Sequence, residues 1–199
     1  AAEIYPLERM TWLPKSGALV CFGAKYIGSA NSTGLLAGPK ELVEAATLHN
    51  FVAFQTRGAS GIGRGFKVDR QEVVAVMVAL REWLTMDHEE RFAVQERRIQ
   101  TIIRGMAGIQ HVSAESAWDG KSPWMAVLVT IDEIAAGKTV TSVVEALKNG
   151  NPSIMATSTS RTAIAGETGA NEIRMHVHQL REGEDQIIAD RLREVLTGL

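Results

Sequence analysis

Cysteine is nearly missing from this chain of 199 residues, Cys21 being the only one. A single thiol closes no internal disulfide, which excludes a disulfide-stapled scaffold and favours a reducing compartment. Because Cys21 lies in an apolar run, it is expected to pack as a small hydrophobe. Long apolar runs are missing too. No stretch reaches the roughly 18 residues of a membrane helix, and the opening residues, AAEIYPLERM, lack the basic start and apolar core of a signal peptide. The expected location is therefore cytoplasmic, without a membrane partner. Nor is charge of one sign in excess: 21 basic residues face 23 acidic ones, for a formal charge of -2. That balance leaves no global field for nucleic acid or an anionic membrane, so any anion site must be local. Repeats and low-complexity tracts are also absent.

What is present is ordinary globular material. Hydrophobic residues make up 45% of the chain and charged ones 22%, which predicts a packed core in one large domain or two small ones. Pro6, Pro14, Ser16 and Gly17 interrupt any period up to about residue 18, predicting irregular connecting structure there. ALVCF (18–22) and GLLAG (34–38), bounded by glycine, read as two strands buried on both faces. Pro39 then opens a short helix, and residues 50–66 read as a loop. From Asp69 a long helix is expected, with Asp69 and Glu72 spaced as a capping box requires. Its apolar residues, from Val73 and Val74 to Trp83 and Leu84, cover most of the circumference and predict a largely buried element.

A second, charged amphipathic helix follows, DHEERFAVQERRIQTIIRGMAG, expected to stop at Gly105 or Gly108 and long enough to bridge two domains. Beyond it the pattern changes. IQHVSAE and WMAVLVTI read as strands, TVTSVVEALKNG as a helix, SIMATS and NEIRMHVHQL as strands, and GEDQIIADRLREVL as a closing helix. The order β-β-α-β-β-α predicts a compact α+β unit with a mostly antiparallel sheet.

Four places carry candidate chemistry. Lys25 sits between the two apolar runs; there, partial desolvation would make its amine a nucleophile toward carbonyls, as a Schiff-base lysine requires. The plain alternative is a lysine whose stem packs on the strands while its head reaches water. The segment RGASGIGRGFK holds four glycines in eight residues with Arg57, Arg64 and Lys67, the most basic stretch in the chain. Arg64 and Lys67, three apart at a loop-to-helix junction, can point at one anion beside free backbone N–H groups. GASGIG is not the dinucleotide fingerprint and GAK is not a Walker motif, which removes both nucleotide readings. His176 and His178 alternate on a strand and share a face, but no third ligand lies near them, so a partly exposed strand face is preferred to a metal site. STSRT (158–162) sets hydroxyls beside Arg161 and reads as a polar loop.

GALVCFGAKYIGSANSTGLLAG, followed about forty residues after the lysine by GIGRGFKVDRQEVVAVMVALREWL, resembles the C-terminal half of the bacterial selenocysteine synthase and D-glucosaminate-6-phosphate ammonia-lyase family of fold type I pyridoxal phosphate (PLP) enzymes. The segment closing in DRLREVL resembles that family's C-terminal domain, so the resemblance spans nearly the whole chain. It implies an α/β fold: the C-terminal part of a PLP-dependent transferase-like large domain (residues 1–86), a linking helix (87–108) and a small α+β domain with a mostly antiparallel sheet (109–199). Lys25 is implied to carry PLP as a Schiff base and to move the α-proton. Arg64 and Lys67 are implied to bind an anionic part of the substrate or the cofactor phosphate. The implied activity is that of a lyase or transferase acting on an amino acid or amino sugar acid by α-proton abstraction and elimination, in a homo-oligomer. A tRNA substrate is disfavoured, because the N-terminal region that such relatives add, and any basic patch to replace it, are missing. The segment after Lys25 is one residue longer than the family pattern and lacks its Gly-Pro pair. No Asp precedes Lys25 to pair with the pyridinium nitrogen, and the opening AAE resembles the residues just after that Asp, so a fragment incomplete for activity is expected. The competing expectations are a noncatalytic subunit or interaction domain that keeps the fold, and a metal-binding protein using His176 and His178.

Overall fold

Strand alternation decides the first sheet. In the computed structural model, which describes residues 4–57, 62–118, 124–158 and 171–198, β1 (Val20–Gly23) pairs antiparallel with β2 (Gly34–Ala37), Val20 opposite Ala37 and Gly23 opposite Gly34. Phe22 turns inward and is buried, while Cys21 and Leu36 face out and are exposed. The sheet therefore buries one face, contrary to the reading of two doubly buried strands. Cys21 falls on its outer face and does not pack as a core residue.

Before this hairpin, α1 (Arg9–Lys15) replaces the irregular segment expected from the prolines. Pro14 falls in its last turn, where the helix ends one residue later and little ladder remains to lose. Pro39 precedes α2 (Lys40–Thr47) as expected. The segment read as a loop instead forms α3 (Phe51–Arg57) and a one-turn 3-10 helix, Gly63–Gly65. Asn50 supplies the start signal, its Oδ1 accepting from the Ala53 N–H at 2.8 Å. The basic loop's residues 58–61, and the side chain of Arg57, lie outside the described residues.

The long helix α4 (Arg70–Thr85) begins where Asp69 predicted, yet Asp69 makes no side-chain cap bond. It is also not largely buried. Ala79 and Trp83 enter a core with Ile4, Phe22, Ala24 and Ile27, whereas Val73, Val74, Met77 and Val78 are exposed. Hydrophobicity in sequence measures what a helix could bury, and the described residues cover only one side of this one. Trp83 ties the core to the start of the chain, its indole N–H donating to the Ile4 carbonyl at 3.4 Å.

These elements form one unit that ends at Asp87, and a second unit starts at His88. Helix α5 (His88–Met106), read above as a link, belongs to the second unit's core through Ile99, Ile102 and Met106. Gly108, at φ 78°, turns the chain out of it. Then come β3 (Val112–Ser116), β4 (Ala126–Ile131), a short α6 (Glu133–Ala136), α7 (Val140–Lys148), β5 (Thr157–Ser158), β6 (Glu172–His176) and α8 (Glu184–Thr197). The sheet order is β3-β4-β6-β5 with every pairing antiparallel, as the strand and helix order predicted. Val127, Val129 and Ile131 of β4 and Ile173 and Met175 of β6 fill one face and join a core shared with α5, α7 and α8. Each fully buried aliphatic side chain contributes about 1.5–3 kcal/mol.

Two details fix α5 against α8. Gly105 lets the helices approach so closely that a Cβ there would lie 2.7 Å from the Ala189 methyl. Arg193 on α8 then donates to the carbonyls of Gly105 and Ala107 at 3.0 and 2.6 Å, serving the open end of α5. The described residues thus form a mixed helix and strand fold with antiparallel sheets.

Candidate functional site

Lys25 stands on a one-turn 3-10 helix, Ala24–Ile27, that leaves β1 directly. With three residues per turn, Ala24 and Ile27 share the inward face and are both buried. Lys25 is consequently turned outward and exposed. The expectation of a lysine hemmed in by apolar strands is corrected here: the apolar neighbours go down into the core, and the amine is held out from them. Among the described residues its Nζ makes no hydrogen bond or ion pair; its nearest recorded neighbour is the Tyr26 ring, 5.0 Å from the centroid.

The turn itself is tightly tied. Gly28, at φ 95°, closes it, its N–H donating to the Lys25 carbonyl at 3.2 Å. Ala24 N–H donates to Thr33 O at 3.0 Å, and Ser29 N–H donates to Ala24 O at 3.1 Å. The Thr33 hydroxyl reaches Ser29 Oγ at 3.1 Å and Ala30 O at 2.6 Å. Ser32 Oγ donates to Glu72 Oε1 of α4 at 2.6 Å. Glu72 is therefore not half of a capping box; a residue forty positions away takes its carboxylate.

Arg64 and Lys67 are both exposed and both rest on α3. The Arg64 guanidinium carbon lies 5.9 Å from the Phe54 ring centroid, and Lys67 Nζ lies 4.7 Å from that of Phe51. Gly63 makes this possible, since a Cβ there would lie 2.2 Å from the Asn50 carbonyl oxygen. Lys67 also borders a groove of about 410 Å³ between the exit of the Lys25 turn and α4, formed with Ser32, Thr33, Leu35, Glu72 and Met77. That volume is in the range of small-ligand sites. Arg64 does not line it. Thus Lys67 is brought to the far end of the Lys25 turn, and Arg64 stays with the α3 aromatics.

Sequence reasoning missed Phe51, Phe54, Ser32 and Glu72 as parts of this site. The aromatics carried a readable signal, their spacing of three matching that of Arg64 and Lys67. Ser32 and Glu72 carried none.

In the second unit His176 ends β6 and His178 follows two residues on, their ring centroids 5.9 Å apart. Desolvation chiefly lowers both pKa values from the usual 6.5, helped by Arg174 for His176 and by His176 and Arg91 for His178. For His176 that desolvation is only partial, because it stays exposed at the end of its strand. The Trp124 ring stands 6.0 Å from His178. Among the described residues no group of three or more metal-ligating side chains exists, and no helix is long and apolar enough to cross a membrane. Arg161 and most of STSRT lie outside the described residues.

No family model matches the chain. It is 26% identical over 195 residues to a 5'-C-glycyluridine monooxygenase-decarboxylase from Streptomyces sp, covering 93% of this chain and 43% of that protein. The structure of D-glucosaminate-6-phosphate ammonia-lyase is similar with a TM-score of 0.65 at 21% identity, covering 93% of this chain and 45% of the other. At that identity the likeness shows the fold alone. The chain spans less than half the length of either relative, and neither is a selenocysteine synthase.

Proposed function

We propose that the chain is the C-terminal portion of a PLP-dependent enzyme, a lyase in the first instance, that acts on an amino acid or amino sugar acid. The observation that carries this reading is the turn that holds the Lys25 amine outward with no competing hydrogen bond or ion pair among the described residues, while Lys67 stands at the turn's exit. The relatives support it from their names: one acts on a glycyl compound and the other on a glucosaminate, both bearing an amino acid group. The fold likeness to an ammonia-lyase favours elimination over transfer.

The residues present fit the cofactor in part. Lys25 offers a primary amine for its aldehyde, and Arg64 and Lys67 offer cations for an anionic group of the substrate or for its phosphate. No Asp precedes Lys25, so the acid that would face the pyridinium nitrogen has to come from elsewhere. PLP, when bound, supplies an electron sink for charge at the carbon bearing the substrate's amine. The chain's part is to hold Lys25 Nζ where it can take and return the proton of that carbon, and to orient the substrate's anion with Lys67 and Arg64. A small-molecule substrate suits a groove of this size, and the site would be completed in a homo-oligomer or by further chain.

Adding PLP to the chain, reducing with borohydride and mapping the modified lysine by mass spectrometry tests this. Preferential modification of Lys25, with the near-ultraviolet and visible bands of the adduct lost in Lys25→Ala, is the expected result. Modification spread over the exposed lysines without preference would remove the catalytic reading and leave a noncatalytic subunit.

A further inference from the structure

We propose that Glu72 is a positioning residue for Lys25, acting through the hydroxyl of Ser32. This deepens the reading of Lys25 as the cofactor-binding lysine and rests on it.

Glu72 lies in the first turn of α4, where its carboxylate would ordinarily serve the open N–H groups of its own helix. It accepts from Ser32 Oγ instead, at 2.6 Å, the length of a charge-assisted O–H···O bond. Ser32 is one residue from Thr33, whose carbonyl accepts the Ala24 N–H at 3.0 Å and whose hydroxyl holds Ser29 and Ala30. Ser29 in turn binds back to Ala24. Residues 24–33 are thus a closed ring of hydrogen bonds with Lys25 on its rim, and Ser32 is the ring's handle.

The same helix holds the ring a second time. Ala24 and Ile27 pack with Ala79 and Trp83 of α4. Glu72 and Ala79 are seven residues apart, about 10 Å along the helix at 1.5 Å per residue. One apolar hold fixes a point of the ring and leaves it free to rock. A second hold at that separation fixes its tilt, and with it the direction in which Lys25 leaves the surface. Ser32 and Glu72 also wall the groove that Lys67 borders, so the same pair sets the spacing between the amine and that cation.

The test uses the chain with Ser32→Ala, Glu72→Ala, Glu72→Gln and the double Ser32→Ala/Glu72→Ala variant. The probes are PLP with borohydride and a small amine-acylating reagent. Either single alanine variant is expected to slow PLP capture at Lys25 roughly tenfold, the worth of one charge-assisted hydrogen bond. Acylation of Lys25 by the small reagent stays unchanged, because an exposed amine needs no orientation to meet it. Glu72→Gln retains an acceptor oxygen without the charge and falls between the parent and the alanine variants, and the double variant is no slower than either single alanine variant. Hydrogen exchange at the Ala24 and Ser29 amides reads the brace without any cofactor and is expected to speed up in both alanine variants. Unchanged exchange at those amides, or additive losses in the double variant, would overturn the proposal. A parent chain that never captures PLP at Lys25, yet shows the exchange effect, sinks the proposed function and, with it, the assignment of Lys25 as what Glu72 positions.

Discussion

Lys67 Nζ stands 4.7 Å from the centroid of Phe51, and the guanidinium of Arg64, three residues earlier, stands over Phe54, three residues later. The two cations and the two rings therefore pair in opposite chain directions, 51 with 67 and 54 with 64, like neighbours across an antiparallel ladder. A cation held over a ring has fewer orientations to lose when an anion arrives.

The first expectation follows from that pairing. Phe51→Leu keeps apolar bulk and removes the π face, so it is expected to weaken inorganic phosphate binding about twofold to fivefold, matching the ~0.5–1 kcal/mol of an exposed cation–π contact. Lys67→Ala should weaken it further and flatten its salt dependence. Calorimetric titration with phosphate at two ionic strengths checks both. Equal affinity in Phe51→Leu and the parent would show that the ring merely shelves a solvated amine.

Close helix contact in the second unit gives another. Gly105→Ala places a methyl 2.7 Å from the Ala189 Cβ, and separating α5 from α8 also strains the Arg193 bonds to Gly105 and Ala107. A loss of about 1–3 kcal/mol is expected. Urea midpoints measure it, and Ala189→Gly in the same chain should recover part of the loss by reopening the contact.

The histidine pair sets a pH dependence. Desolvation lowers both pKa values below the unfolded value of 6.5, so in the window between the folded and unfolded values the unfolded chain binds more protons. Stability is then fully present above 6.5, falls as pH drops through that window, and loses nothing more from these groups below the folded values. Thermal melts across this range should show a falling midpoint, and replacing both histidines with Gln should flatten it. A parent profile that does not change between about pH 7.5 and pH 5 would remove the histidines from the account.

The outer face of α4 makes a fourth. Val73 and Met77, and Val74 and Val78, are i,i+4 pairs that form one exposed apolar stripe. Sedimentation coefficients are expected to rise with protein concentration, and Val74→Glu with Met77→Lys should abolish the rise while leaving the melting midpoint nearly unchanged. Concentration-independent sedimentation of the parent would count against association through this face.

Much of this was legible from residues alone, and the illegible parts share a cause. The two strands on either side of Lys25, the start of α4 at Asp69 and the antiparallel α+β unit all follow from local patterns: apolar runs bounded by glycine, a period of 3.6, strands alternating with helices. Helix α3 was missed because its seven residues hold too few periods to stand out from a glycine-rich neighbourhood, although Asn50 marks its start. The outward turn of Lys25 was missed because a 3-10 helix sorts side chains by threes, while the strand pattern on either side sorts them by twos. Glu72 was misassigned because its partner, Ser32, is set by tertiary packing that no window around either residue contains. The burial of α4 was overestimated because composition reports the appetite of a helix and not its surroundings.

The indole of Trp83 donates to the carbonyl of Ile4, across a separation of 79 residues. Among the described residues the hairpin it helps to bury has two strands, too few to be stable alone. The Lys25 turn therefore depends for its shape on α4, which follows it in the chain and packs Ala79 and Trp83 against Ala24 and Ile27. Local sequence shapes the turn, and a contact that closes a loop of 79 residues holds it, so its stability carries the entropy of that closure.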